Sequence, residues 1–220
     1  MPHPPRRAPD QLLGKESRSH SGIVHSKLDV KSWMQRLPLV DEARPGRCPS
    51  CEAPSRPPGQ RLAIVGHGLR DRQQLGPAAV GAAAAMLVLP IRRYRCGPCG
   101  AVITVVPHGI VARRHYSASA IVLAMALFGV ERLAPRAVRA AVSPWQIIGE
   151  TAIAGWTALR RWISAVRART LLRETRRASP GASARQVAEH VTMTAAAFAA
   201  PSMRHLPLLE QAFAGGAHMK

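Results

Sequence analysis

Cys48-Pro49-Ser50-Cys51 and Cys96-Gly97-Pro98-Cys99-Gly100 decide the reading of this chain. In each, two cysteines flank two residues, so one tight backbone turn carries two thiols toward the same point. A tetrahedral zinc ion takes four such sulfurs, and two knuckle turns supply them. Proline and small residues inside the pairs, with Gly100 directly after the second, suit those turns. The 44 residues between Cys51 and Cys96 exceed the roughly 15–20 of a compact four-cysteine site. A long hairpin inserted between the knuckles accounts for the difference and leaves the ligand geometry untouched. Paired cysteines also serve redox chemistry, but that calls for one pair at a helix N-terminus. Here there are two pairs, both beside strand-like segments, so Cys48, Cys51, Cys96 and Cys99 are read as ligands of one Zn²⁺. His67 is superfluous to a site that four sulfurs already close.

Working outward, the region from Cys48 to Pro107 has β character. Arg61–Val65 predicts a short strand, Gly66-His67-Gly68 a hairpin turn, and Leu69–Leu75 its return. Ala78–Ala85 reads as a loop tip. Met86–Leu89 and Ile91–Arg95 lead into the second knuckle, and Val102–Val106 follows as a strand stopped by Pro107. On the other side, Lys31–Val40 predicts a helical turn or two. Residues 1–32, rich in Pro, Arg, Ser and His, predict a disordered arm, and Met1–Arg7 has no apolar core of a secretory signal.

Beyond Pro107 the apolar period becomes helical. Ser117 or Ser119 caps a helix with Ile121, Ala124, Met125 and Phe128 on one stripe, ended by Gly129. Pro135 opens a second helix that reaches Val142 before Ser143-Pro144. A third runs from about Thr151 toward Arg177, and Ser183–Ala200 and Leu206–Phe213 complete an Ala-rich tail. Within the third, Trp156, Leu159, Trp162, Ile163 and Val166 fill one arc of about 120°. Thr157, Arg160, Arg161, Ser164 and Arg167 fill the arc beside it, with no acid among them. An apolar anchor beneath a face of guanidinium and hydroxyl groups is what a helix needs to enter a DNA major groove.

Charge points the same way. The chain carries 31 Lys and Arg against 12 Asp and Glu, net +19, and residues 111–177 alone hold +9. Such a surface calls for an acidic partner, nucleic acid first. Arg92, Arg93 and Arg95 around Tyr94, and Arg113 and Arg114 before Tyr116, interleave cations with aromatic rings, a pattern suited to phosphate contact and stacking. The apolar stretches Ala78–Pro90 and Ala118–Val130 are too short to span a bilayer. A cytoplasmic protein with no membrane contact is expected. No phosphate-cradling glycine loop, nucleophile elbow or His-Glu-x-x-His motif is present, so neither an enzyme nor a small-molecule substrate is predicted.

Taken in order, Cys-Pro-x-Cys, then Arg-Arg-Tyr-Arg-Cys-x-x-Cys-Gly, then Arg-Arg-x-Tyr, then Leu-Arg-Arg-Trp resembles a known arrangement. It is that of the zinc-ribbon and helix-turn-helix N-terminal regions of bacterial insertion-sequence transposases, and of small bacterial proteins built only from those parts. The resemblance runs roughly from Cys48 to Arg177. It implies binding to transposon ends or promoter-like sites, with the four cysteines at the family's ligand positions. A full transposase also needs three carboxylates to hold two catalytic metal ions. This chain departs from that: no Asp follows Asp71, and Glu174, Glu189 and Glu210 are the only acids after residue 150.

The sequence thus predicts an α+β chain. A disordered arm (1–32) precedes a zinc ribbon with its lead-in (33–110), an all-α helix-turn-helix-like DNA-binding unit (111–177) and a helical tail (178–220). The predicted function is zinc-dependent, non-catalytic DNA binding, as a transposase-related accessory or regulator, with homodimerisation through the helical part or tail compatible with it. The alternatives are an RNA-associated zinc-ribbon protein and a zinc-stabilised adaptor between proteins.

Overall fold

The computed structural model describes residues 21–145 and 156–219. The β-branched run at Val102–His108 (β4) forms a central strand of one four-stranded sheet. In order across the sheet stand β1 (Ser21–Asp29), β4, β3 (Ala84–Cys96) and β2 (Ile64–Pro77). β1 runs parallel to β4, and β2, β3 and β4 are antiparallel in turn. Among the described residues, six α-helices complete a mixed α+β fold: α1 (Val30–Gln35), α2 (Ala118–Gly129), α3 (Pro135–Val142), α4 (Thr157–Arg167), α5 (Ala184–Ala197) and α6 (Leu208–Gly216).

Several expectations are corrected. Ser21–Asp29 is a strand, not part of a disordered arm; residues 1–20 lie outside the described residues. Its parallel partner comes from far along the chain, and Val24 and Leu28 pack on the core around Trp33. Local composition encodes neither fact. Gly66-His67-Gly68 does not reverse the chain. It forms an irregularity in one 14-residue strand, with pairing resumed at Leu69↔Arg92, and the reversal falls at 78–83. A glycine pair suits a bulge as well as a turn, and the partner strand chooses between them. Pro107 does not stop β4, which reaches His108. The β3 pairing has ended at Val105 by then, so the missing N–H of Pro107 breaks no bond to β3.

The first core cluster joins Trp33, Ile64, Tyr94, Ile103 and Val105 to Cys48 and Cys96. Trp33 Nε1 donates to the Pro90 carbonyl at 2.9 Å, which docks the short α1 on β3. A second, larger cluster fills the helical array. Ser117 caps α2 by accepting from the Ala120 N–H, as its position predicts. α2 is buried on all sides rather than along one stripe, because α3, α5, α6 and the end of β2 all pack against it. Sheet and helices meet at Leu75, whose N–H donates to His115 O at 2.6 Å and whose carbonyl accepts from Ser117 N at 3.1 Å. Gly76 permits this approach, since a Cβ there would lie 2.5 Å from that of Ala120.

The third helix is shorter than predicted. It ends at Arg167, and 168–175 form turns and bends in which Arg169 and Leu172 take positive φ while Leu171 and Leu172 are buried. Burial of two leucines offsets the left-handed backbone, which costs roughly 1–2 kcal/mol per residue. The predicted start at Thr151, and most of the connection between α3 and α4 on which a helix-turn-helix depends, fall outside the described residues.

Candidate metal centre and basic groove

The two cysteine pairs share one backbone pattern. The Cys48 carbonyl accepts from Glu52 N at 2.9 Å, and the Cys48 N–H donates to Ala53 O at 3.0 Å. Identically spaced, the Cys96 carbonyl accepts from Gly100 N at 2.8 Å and its N–H donates to Ala101 O at 2.9 Å. The fifth residue of each turn has positive φ, +60° at Glu52 and +71° at Gly100. Glycine meets that demand without strain and Glu52 does not, which is why only the second knuckle is marked in the sequence. The β2–β3 hairpin brings the knuckles together: its register sets Cys96 opposite Ile64, and Gly97 N donates to Ala63 O at 2.7 Å.

All four sulfurs lie within 4.8 Å of one another. Cys48–Cys99 and Cys51–Cys96 are each 3.7 Å apart, too long for disulfides. A tetrahedron with metal–sulfur bonds of about 2.3 Å has edges of about 3.8 Å, so the donor set fits a tetrahedral ion. Neither pair caps a helix, as a redox dithiol would require. Burial works against the Cys48 thiolate, but N–H groups from Ser50 and Cys51, with help from the neighbouring thiols, bring it to about 7. Burial pushes the Cys96 thiol up to about 12. Cys48 is thus the readier thiolate, and an ion bound here displaces protons from the others.

Beside the second knuckle runs a groove of about 880 Å³ whose wall includes Gly100, Val102 and Thr104. Arg70, Arg72, Arg93, Arg113, Arg114 and His115 line it, against a single acid, Asp71. Arg72 is half-buried and donates to the carbonyls of Val111 and Arg114 at 2.8 and 2.9 Å, pinning the turn that presents Arg113 and Arg114. Burial, then repulsion from Arg70, lowers its pKa below the usual guanidinium range. Arg113 is exposed with φ +59°, a conformation rare for a residue with a side chain.

The predicted contact residues divide. Arg93, Arg113 and Arg114 come together in the groove, joined by Arg70 and Arg72, which the reading of the sequence missed. Those two lie in the segment read as a return strand, and only the register with β3 reveals where they face. Arg95 is exposed beside Cys96. Arg92 is turned to structure, its Nε donating to the Pro38 carbonyl. Tyr94 is fully buried with its hydroxyl on Val40 O at 2.7 Å, so it offers no stacking face. Tyr116 likewise packs inward: its ring lies edge-on to Trp162 at 5.0 Å and Trp156 at 5.8 Å, and its hydroxyl donates to Ser143 Oγ at 2.8 Å. On α4, Thr157, Arg160, Arg161, Ser164 and Arg167 are all exposed, and Trp156, Leu159, Trp162, Ile163 and Val166 are all buried, as the helical wheel predicts. No described helix is long and apolar enough to cross a membrane. Comparisons with protein-family models, curated proteins and solved structures find no match.

Proposed function

We propose that this is a zinc-dependent, non-catalytic DNA-binding protein, an accessory or regulator of the transposase-related kind. The observation that carries the reading is the groove: five arginines from three separate stretches of sequence converge beside the cysteine cluster with one acid among them. Arginine on a fixed frame suits phosphate oxygens. Zinc is the ion of choice for four thiolates at tetrahedral spacing, and its role here is to hold the knuckle whose Gly100 and following strand form the groove wall. The exposed face of α4 supplies a second basic surface, with hydroxyls able to reach base edges. Duplex DNA is preferred to single-stranded RNA because the one Phe, Tyr or Trp of the described sheet strands, Tyr94, is buried, whereas sheet-based recognition of unpaired bases leans on exposed rings of that kind.

Titration of duplex DNA at several salt concentrations tests this. Arg113→Ala and Arg114→Ala should each weaken binding to all duplexes alike and flatten the salt slope by about one unit. Arg160→Ala or Arg161→Ala should cost about 1–3 kcal/mol on a selected site and little on random duplex, if that arginine reads a base. Zinc-loaded, folded protein that binds no duplex, or that is indifferent to all four changes, would refute the assignment. A second expectation follows from the lack of any Asp after Asp71. Pure protein should neither nick nor join DNA in Mg²⁺ or Mn²⁺, and cleavage lost on changing one of its acids would overturn this.

A further inference from the structure

The turns after α4 and the loop before α5 enclose a second, smaller pocket of about 280 Å³, near the lower size of a small-ligand site. Arg167, Arg169, Thr175, Arg176, Arg177 and His190 line it, with no acidic residue on its wall. Two of the arginines are held in place. Arg167 donates to Ala182 O at 2.6 Å, and Arg169 donates to Arg173 O at 3.0 Å. Arg176 and Arg177 are exposed and form no ion pair among the described residues. The frame is set by the buried Leu171 and Leu172 and by the positive φ of Arg169 and Leu172.

A second feature is independent of charge. Thr175 is only 6 % exposed, and its Oγ1 has no hydrogen-bond partner. A buried hydroxyl left unpartnered is unfavourable, and the great majority of such groups are satisfied. Here the unsatisfied hydroxyl belongs to a residue that lines this arginine-rich, acid-free pocket. The C-terminal end of α4, the negative end of its dipole, opposes an anion at this place. Four guanidiniums exceed that half charge, and they are the groups that grip tetrahedral oxyanions through paired N–H donors.

We propose that this pocket is a receptor for a phosphate group, with Arg176 and Arg177 as the free donors and the Thr175 hydroxyl as a neutral one. The group is either a backbone phosphate of nucleic acid lying along the exposed face of α4, which ends at Arg167, or a free phosphate. Both present the same oxyanion.

The test uses the full zinc-loaded chain and inorganic phosphate as probe, in low-salt chloride buffer. Calorimetric titration should show saturable phosphate binding that Arg176→Ala and Thr175→Val each weaken about tenfold. Thr175→Val, which deletes the unpartnered hydroxyl, should melt at or above wild type in chloride and below it in saturating phosphate. A merely structural threonine would shift both melts alike, and that result, or phosphate binding indifferent to both changes, overturns the proposal. Duplex DNA then separates the sources. If Arg176→Ala weakens duplex binding more than the exposed Arg204→Ala does, and phosphate competes with duplex, the ligand is a backbone phosphate. If duplex affinity is unmoved while phosphate binding falls, the ligand is a free phosphate. Wild type that binds phosphate but no duplex sinks the DNA reading and leaves the pocket standing.

Discussion

Cys96→Ser should unfold the sheet, and a strong chelator should do the same to the unaltered protein. Cys96 is buried within the cluster that holds Trp33, Ile64, Tyr94 and Ile103, so one residue belongs both to the four-cysteine cluster and to the core. Structural zinc contributes about 10–16 kcal/mol of apparent binding free energy at neutral pH. Whole domains are stable by only about 5–15 kcal/mol, so losing such an ion would remove a contribution as large as the whole margin. Protein purified without added metal should carry one zinc, and its near-ultraviolet circular dichroism should collapse on chelation and in the serine variant. Equal melting curves with and without chelator, together with four freely reactive thiols in the native protein, would show that the cluster holds no structural ion.

Trp162→Ala should cost about 3–5 kcal/mol, the range for removing a large buried aromatic. Trp162 is 3 % exposed and stands edge-on to Tyr116 at 5.0 Å and Trp156 at 4.9 Å, so the change dismantles a three-ring cluster. Edge-to-face pairs of this kind add about 0.5–1.5 kcal/mol each beyond area burial. Arg161→Ala, one residue away and exposed, should stay within about 0.5 kcal/mol of wild type. Urea unfolding of the two variants measures both. Comparable losses would mean that the two faces of α4 are not divided as described. A stable Trp162→Ala protein with weakened DNA binding would instead return the aromatic cluster to the ligand.

What could be read from the sequence follows the range of the interactions involved. Ser117 and Pro135 mark helix starts, and Ser183 opens a capping box with Gln186, because caps are settled within four residues. The division of α4 into two faces is equally local. The four clustered cysteines were legible as two pairs, since each knuckle is a turn of its own. How they meet was not, for it depends on the reversal at 78–83 and the register of β2 on β3. The same register hid Arg70 and Arg72 from the groove, and the parallel pairing with β4 hid β1. Tyr94 and Tyr116 show the opposite failure. An aromatic among arginines fits a nucleic-acid surface and a core edge equally well, and only the buried partners of both rings decide between them.

The hairpin that separates the cysteine pairs also sets an order of assembly. Closing the 44-residue interval between Cys51 and Cys96 as free chain would cost entropy before any contact rewarded it. Zippering outward from 78–83 replaces that search with a series of short closures, the last of which sets Cys96 against Ile64 and Gly97 against Ala63. An ion bound by these cysteines would therefore meet a site already nearly formed. Because a slip of one residue sends every side chain of a strand to its other face, a misregistered β3 would turn Cys96 away and leave the first knuckle with its own two sulfurs in place of a shared four. Capture of a metal would then act as proofreading: it would fasten the chain only when the strands have been counted correctly.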